Sequence, residues 1–294
     1  MALYTIYAYQ FKPLAVQLDL FNKERCLEQR SELMSQKNKI FENIIKSCIF
    51  THRNRELSSQ LLFCSDEIIA FKLANVKAVH LEQKFQIKTT TDEPSATVLI
   101  YNDANVQRIA IEQNKAFTDT GVVIRILKKA FNDQLENEGL SITIKKEYKE
   151  REFWDLINRN SDCIKMVRFE FDYPNLPRVS ESVSTMLKQA SEAALSAKTR
   201  LEFNSAEKEC LNIDESNEQI KGLTQAASGS GNSVVLRIKG MKKLQKTGYT
   251  TKTLRFDDLE IQANNVEDIK EIFRSLDIKN NSLLSNSLYT KLFG

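Results

Sequence analysis

The clearest indication of fold lies at residues 97–112, which read TVLIYNDANVQRIAIE. Two apolar segments, Thr97 to Tyr101 and Val106 to Glu112, flank the polar turn Asn102-Asp103-Ala104-Asn105. Asn and Asp favour turns because their short side chains bond the local backbone and tolerate left-handed conformations. The pattern therefore predicts two antiparallel strands joined as a hairpin.

Segments on both sides of this hairpin carry further signals. Apolar residues recur on a helical period from Val122 to Glu136, and Gly139 supplies the left-handed residue that commonly ends a helix. A similar period over Leu18 to Ile49 predicts one or two amphipathic helices. Short strands and helices without strict βαβ alternation favour an α+β fold, with a mixed, mostly antiparallel sheet and flanking helices. The other predicted elements are strands at Leu3 to Phe11, Leu61 to Cys64, Ile68 to Leu73, Val76 to Lys88, Leu140 to Ile144 and Ile164 to Phe171, and a short helix at Glu150 to Asn158.

The character of the sequence changes beyond Pro177. Residues Ser180 to Phe203 are rich in Ala, Ser, Leu, Lys and Glu, a composition that predicts one long helix. We therefore predict an α+β domain at residues 1–175. Residues 176–294 are predicted to form a helical region with a basic hairpin and a final helix at Val266 to Leu276.

Composition bounds the class of protein. The chain has 294 residues, of which 41% are hydrophobic and 28% charged, values typical of a globular protein with a substantial core. Its five cysteines are an odd number without close pairs, so a disulfide framework is not expected. No apolar run is long enough to cross a bilayer and Met1 to Thr5 does not begin a secretory leader, so we expect a cytoplasmic protein without membrane insertion.

Positive charge is concentrated between Ser233 and Arg255, a stretch without Asp or Glu. It follows the Gly/Ser-rich segment Ser228 to Asn232, which we interpret as a flexible break. Alternation in Val234 to Lys239 predicts a strand that pairs with Lys252 to Phe256 and carries its cations on the face opposite the core. Such charge is solvated, paired from elsewhere, or used to bind a polyanion. The predicted DNA phosphate contacts are Arg237, Lys239, Lys242, Lys243, Lys246, Lys252 and Arg255.

An acidic stretch from Glu202 to Glu218 precedes the Gly/Ser-rich segment. One interpretation is a solvated linker. The other is an electrostatic mask that competes with DNA for the basic stretch, although exposed ion pairs are individually weak.

An enzyme alternative rests on Glu82 and Lys84, which would share one face of a predicted strand over Val79 to Ile87. With Asp66 as a second carboxylate ligand, this set has the chemistry of a Mg²⁺-dependent nuclease, in which carboxylates hold the ion and a Lys lies near the attacking water.

Other chemistry has no motif to support it. His52 and His80 are the only histidines, and neither lies in a cluster with zinc-ligand spacing. Walker and Rossmann glycine patterns are missing, and no cysteine or serine stands in an activating motif. We therefore expect no catalytic residue, metal or cofactor, and keep as a third alternative a scaffold or inhibitor that binds an acidic protein.

The order of elements over about the first 175 residues resembles a known family. It comprises the Tyr-rich first strand, TVLIYND at 97–103 with its hairpin return, the Val122 to Glu136 helix, ITI at 142–144 and IKMVRFEFDYPN at 164–175. This layout is similar to the A component of prophage Rex-type exclusion systems and related proteins of bacterial mobile elements. The resemblance implies a homodimeric protein that binds double-stranded DNA without sequence preference and acts in defence against bacteriophage, with a membrane-protein partner encoded alongside.

Overall fold

The computed structural model describes residues 2–14, 23–65, 67–172, 185–187, 189–191, 194, 196, 198–256, 261 and 265–278. Antiparallel sheets flanked by helices form the described chain, which confirms the predicted α+β class. No helix among these residues combines the length and apolar character needed to cross a bilayer.

The first sheet has seven of the fifteen described strands and is antiparallel throughout, and β2 (Thr51–His52) and β3 (Arg55–Glu56) form a separate short pair. Its strands are, in spatial order, β10 (Leu140–Lys146), β1 (Ala2–Pro13), β9 (Gln107–Glu112), β8 (Ser95–Asn102), β5 (Ile68–Ala74) and β4 (Ser59–Ser65), with β15 (Thr253–Phe256) beside the first half of β1. The hairpin predicted at residues 97–112 is its β8–β9 pair.

Side chains alternate across a strand, and both sets of alternate residues in β1 are apolar. Helices therefore cover both faces of this sheet. Tyr7, Tyr9 and Phe11 of β1 point into a core shared with helices α1 (Lys23–Ser47) and α2 (Thr120–Leu135). Tyr4 and Ile6 belong to a second core on the other face. There they pack with Phe256 and with Ile269 and Phe273 of the last described helix, α5 (Val266–Ile278).

The predicted helix over Val122 to Glu136 is confirmed as α2, which begins two residues earlier, at Thr120, and ends at Leu135. Asp119 caps its N-terminus, since its carboxylate accepts a hydrogen bond from the amide of Val122. A 3-10 turn, Glu136–Glu138, follows the helix, and Gly139 closes that turn at φ 73°, the left-handed conformation expected of it.

A second sheet lies beyond β10 in the chain. Its strands are, in spatial order, β12 (Lys198–Asn204), β11 (Ile164–Asp172), β13 (Val235–Ile238) and β14 (Gln245–Lys246). Alternate residues of β11, Val167, Phe169 and Phe171, enter a core with helices α3 (Arg151–Arg159) and α4 (Glu218–Gly229). The residues between them carry charge, so the other face of the second sheet is polar.

The Gly/Ser-rich segment, which leads into β13 of the second sheet, packs against β10 of the first. It is therefore not the flexible break that its composition predicts. Ser228, Ser230 and Asn232 are buried at the end of α4. Gly231, at φ 68°, packs so closely against β10 that a Cβ there would lie 2.5 Å from the Cβ of Lys145. Lys145 donates a hydrogen bond of 2.7 Å to Asn232 Oδ1 and also forms an ion pair with Asp172 at the end of β11.

Three further expectations are corrected. The long helix predicted at Ser180 to Phe203 is wrong at its C-terminal end, where residues 198–204 form β12; residues 173–184 lie outside the described chain. The boundary predicted at residue 175 does not separate the sheets, because β11 pairs with β12 and β15 returns to β1. The single strand predicted at Val76 to Lys88 is two strands, β6 (Lys77–Gln83) and β7 (Gln86–Asp92), joined by a turn.

Candidate nucleic-acid interface

The basic stretch forms a hairpin with a different partner strand from the one predicted. Strand β13 pairs with β14 and β11, whereas residues 253–256 pair with β1 of the first sheet. We call residues 235–246 the basic hairpin. The side chains of Leu236 and Ile238 are buried in the core of the second sheet, so Arg237 between them points to solvent. Four lysines complete the exposed cationic surface of the hairpin and its loop: Lys239, Lys242, Lys243 and Lys246.

None of these five cations forms an ion pair or a side-chain hydrogen bond within the described part of the chain, although the charge of Arg237 acts on Glu202. Cations on the neighbouring strands are paired. Arg168 lies 2.6 Å from Glu202, and Lys198 and Arg200 lie 2.7 Å and 2.9 Å from Glu170. Positive charge on the second sheet is therefore offset by ion pairs across β11 and β12, whereas the cations of the basic hairpin form no ion pair with a described residue.

The acidic stretch contributes little to the hairpin. Hydrogen bonds from Asn204 and Arg168 lower the pKa of Glu202, and the charge of Arg237 acts in the same direction. Glu207 and Glu209 lie near Lys165, which bonds their main-chain oxygens. The mask remains a prediction, but its physical basis is weaker, since the segment that would let the acids swing onto the hairpin is buried.

Lys252 is not available to a phosphate, which corrects its predicted role. Its side chain is buried, with the residue 8% exposed, and Nζ lies 3.5 Å from Glu147 and 3.6 Å from Glu150. Arg108, also buried, places Nε 2.6 Å from Oε1 of Glu147. Arg108 of β9 and Lys252 thus form a buried charge cluster with Glu147 and Glu150.

Arg255 is exposed, but it belongs to β15 and pairs in register with Leu3 of β1. Arg255 therefore lies on the first sheet, whereas the basic hairpin belongs to the second. The predicted set of seven is reduced to five residues on one surface element, with Arg255 separate from them.

The segment after β14 is held by a contact that no sequence motif indicated. The carboxylate of Glu152 in α3 accepts hydrogen bonds from the amides of Gly248, at 2.6 Å, Tyr249, at 2.9 Å, and Thr250. Burial raises the pKa of Glu152, but the bonds from Thr250 and the three amides outweigh it and leave the pKa below its ordinary value of 4.5. The backbone at Tyr249 is consequently held three residues beyond the basic hairpin, and 84% of the surface of Tyr249 is exposed.

The nuclease set is not assembled. Glu82 lies on β6, whereas Lys84 lies in the turn after it at φ 53°, so the two do not share a strand face. Asp66 lies outside the described residues. Within the described ranges, no group of three or more His, Cys, Asp or Glu side chains is arranged to hold a metal ion.

Comparisons of the chain with protein-family models, with curated proteins and with solved structures give no significant match. The chemistry of the surface is therefore the basis for assigning a function.

Proposed function

We propose that this protein binds double-stranded DNA through its backbone phosphates, without sequence preference, and that the basic hairpin is the contact surface. The observation that supports this proposal is a set of five exposed cations that form no ion pair with a described residue, next to strands whose cations are paired. Unpaired cations gain free energy from a polyanion because binding releases the counterions condensed on DNA.

The kind of cation favours contacts to phosphate over the reading of bases. Four of the five are lysines, whose ammonium groups act as point charges, whereas Arg supplies the planar fork that recognises a guanine edge. The exposed hydroxyl of Tyr249, three residues beyond the hairpin, is suited to a sugar or phosphate oxygen. A scaffold that binds an acidic protein would use the same surface, and salt dependence on DNA distinguishes the two.

The biological setting belongs to the same proposal. A cytoplasmic homodimer acting in defence against bacteriophage, with a membrane partner, follows from the resemblance in element order described above. It is supported by no contact in the structure and is tested separately, by phage plating with and without the gene.

The DNA proposal is tested by Lys242→Ala with Lys243→Ala, which removes two neighbouring exposed cations from the loop of the hairpin. Each phosphate contact contributes about −0.9 to the slope of log K against log salt, so the double variant should flatten the slope by about two units on either of two unrelated duplexes. The matched control is Lys128→Ala with Lys129→Ala, an exposed pair on α2.

The control separates a local contact from a general effect of net charge. An equal loss of affinity in both double variants would mean that only net charge matters and would remove the hairpin from the interface. If the wild-type protein fails to bind duplex DNA even at low salt, the proposed DNA-binding function is wrong.

A further inference from the structure

A two-stranded arm projects from the first sheet. Strands β6 and β7 pair with each other and with no other described strand, and every residue of β7 is exposed. We call residues 77–92 the arm. At about 3.3 Å per residue, its seven-residue strands reach roughly 20 Å from the sheet. An isolated two-stranded hairpin is marginally stable in water, so a partner that orders it would add to its stability.

The turn at the tip of the arm contains Phe85, a bulky residue in a position where such turns favour small ones. Lys84 and Phe85 are the two turn residues, at φ 53° and φ 63°. Asn-Gly is the preferred pair for such a turn, and a bulky residue at positive φ is strained. Phe85 is nevertheless 97% exposed and packs against nothing in the described chain. Strain and an exposed aromatic ring at one position indicate a contact outside the molecule.

The register of the arm argues against a protein surface as that contact. Leu81 lies opposite Lys88, and Ile87 lies opposite Glu82. Since neighbouring residues on a strand face opposite ways, Leu81 and Ile87 lie on opposite faces of the ribbon. One face therefore carries Val79 and Leu81 between Thr90 and Lys88, the other carries Ile87 beside Glu82, and neither apolar set is large enough for a stable interface with a second copy of the chain.

Charge and shape favour duplex DNA. Lys84 and Lys88 lie at and near the tip, Glu82 is the only acid between residues 78 and 91, and Thr89, Thr90 and Thr91 add hydroxyl groups. Proteins that distort DNA insert an apolar side chain between base pairs and kink the duplex by about 20 to 90°. A single aromatic ring at the narrow end of a ribbon, beside a lysine, has the geometry of such a wedge.

We propose that the arm enters a groove of the bound duplex and that Phe85 inserts between adjacent base pairs, with Lys84 and Lys88 on the flanking phosphates. This inference rests on the proposed function, because the basic hairpin supplies the binding that brings the arm to DNA. The unstacking costs about a few kcal/mol per step and is offset by the added contacts of bent DNA.

The test compares wild type with Phe85→Ala on a duplex labelled with a fluorophore at each end and with 2-aminopurine in its centre. Wild type should bring the ends together and raise the 2-aminopurine fluorescence as a base step opens. Phe85→Ala should bind with an unchanged salt slope and lose both signals, since Phe85 packs on no core. Phe85→Trp should retain bending, and its added indole emission should be quenched by stacked bases. Gln86→Ala, an exposed neighbour on β7, is the matched control and should behave as wild type.

Several outcomes overturn the inference while leaving the proposed function intact. They are wild-type binding without bending, and bending by Phe85→Ala equal to that of wild type. A free-protein sedimentation coefficient that falls in Phe85→Ala, with bending unchanged, would assign the arm to an interface between copies of the chain. A wild type that fails to bind any duplex would overturn both proposals together.

Discussion

A single substitution in the buried charge cluster tests whether Lys252 stabilises the fold or contacts DNA. Lys252→Met keeps the length of the side chain and removes its charge. Arg108 still compensates Glu147, at 2.6 Å, but the carboxylate of Glu150 loses its ion-pair partner in the described chain. The cluster then changes from neutral to a net charge of −1 in a buried site.

Removing one partner of a buried ion pair costs about 3 to 5 kcal/mol. We expect the lower end, about 3 kcal/mol, because Nζ of Lys252 makes no hydrogen bond and lies about 3.5 Å from its carboxylates. For a chain of this size that corresponds to a melting temperature lower by about 6 °C. Adding Glu150→Gln removes the uncompensated charge and should restore at least about half of the lost stability.

The assay is urea unfolding followed by circular dichroism, for wild type, both single variants and the double variant. DNA binding by folded Lys252→Met supplies an independent readout. A phosphate contact would flatten the salt slope by about 0.9, and we expect no change. The reasoning is refuted if Lys252→Met is as stable as wild type, if Glu150→Gln gives no recovery, or if the salt slope flattens.

Two further predictions concern the backbone: one removes a carboxylate that binds backbone amides, and the other adds a side chain at a glycine. Glu152→Gln should destabilise the protein by about 1 kcal/mol at pH 7, a modest value because the carboxylate is partly exposed. Since folding lowers the pKa of Glu152, its contribution is complete above the ordinary value of 4.5 and disappears as the pH falls through the lower folded value; urea melts at pH 7 and pH 3 should show the gap closing. Gly231→Ala should cost well over about 2 kcal/mol, because φ is 68° and the new Cβ would meet Lys145 at 2.5 Å. Gly240→Ala, at φ 86° with nothing within 4 Å, isolates the conformational cost of about 1 kcal/mol, and equal melting temperatures for the two variants would contradict the steric argument.

Elements defined by local signals were predictable from the sequence. The turn at residues 102–105 and Gly139 lie next to the apolar periods that they end, so both neighbours could be identified within a short window. The turn at Lys84 and Phe85 contains neither Gly nor Asn, and the arm was therefore predicted as a single strand. Residues 198–204 carry a two-residue period, with Leu201 and Phe203 apolar, that the helical composition around them obscured.

Elements defined by distant partners were not predictable. The strand at residues 253–256 carries no mark that distinguishes β1 from β13 as its neighbour, because both of those strands are apolar. The burial of Lys252 follows from that pairing and from Glu147 and Glu150, more than a hundred residues earlier. The exposed cations of the basic hairpin were predictable, because their charge and the alternation of Arg237 with Leu236 and Ile238 are both local signals.

The pairing of Leu3 with Arg255 sets an order on synthesis of the protein. Until β15 leaves the ribosome, the first half of β1 keeps one row of amide and carbonyl groups unpaired, and such a strand edge templates aggregation. At about 5 to 20 residues per second, roughly 250 residues separate the two strands by about 12 to 50 s of translation. All strands of the second sheet lie between residues 164 and 246 and can pair within that interval. Nascent chains in which residue 246 has left the ribosome and residue 253 has not should therefore carry a finished second sheet and an open first one, and these are the chains that we expect holdase chaperones to retain.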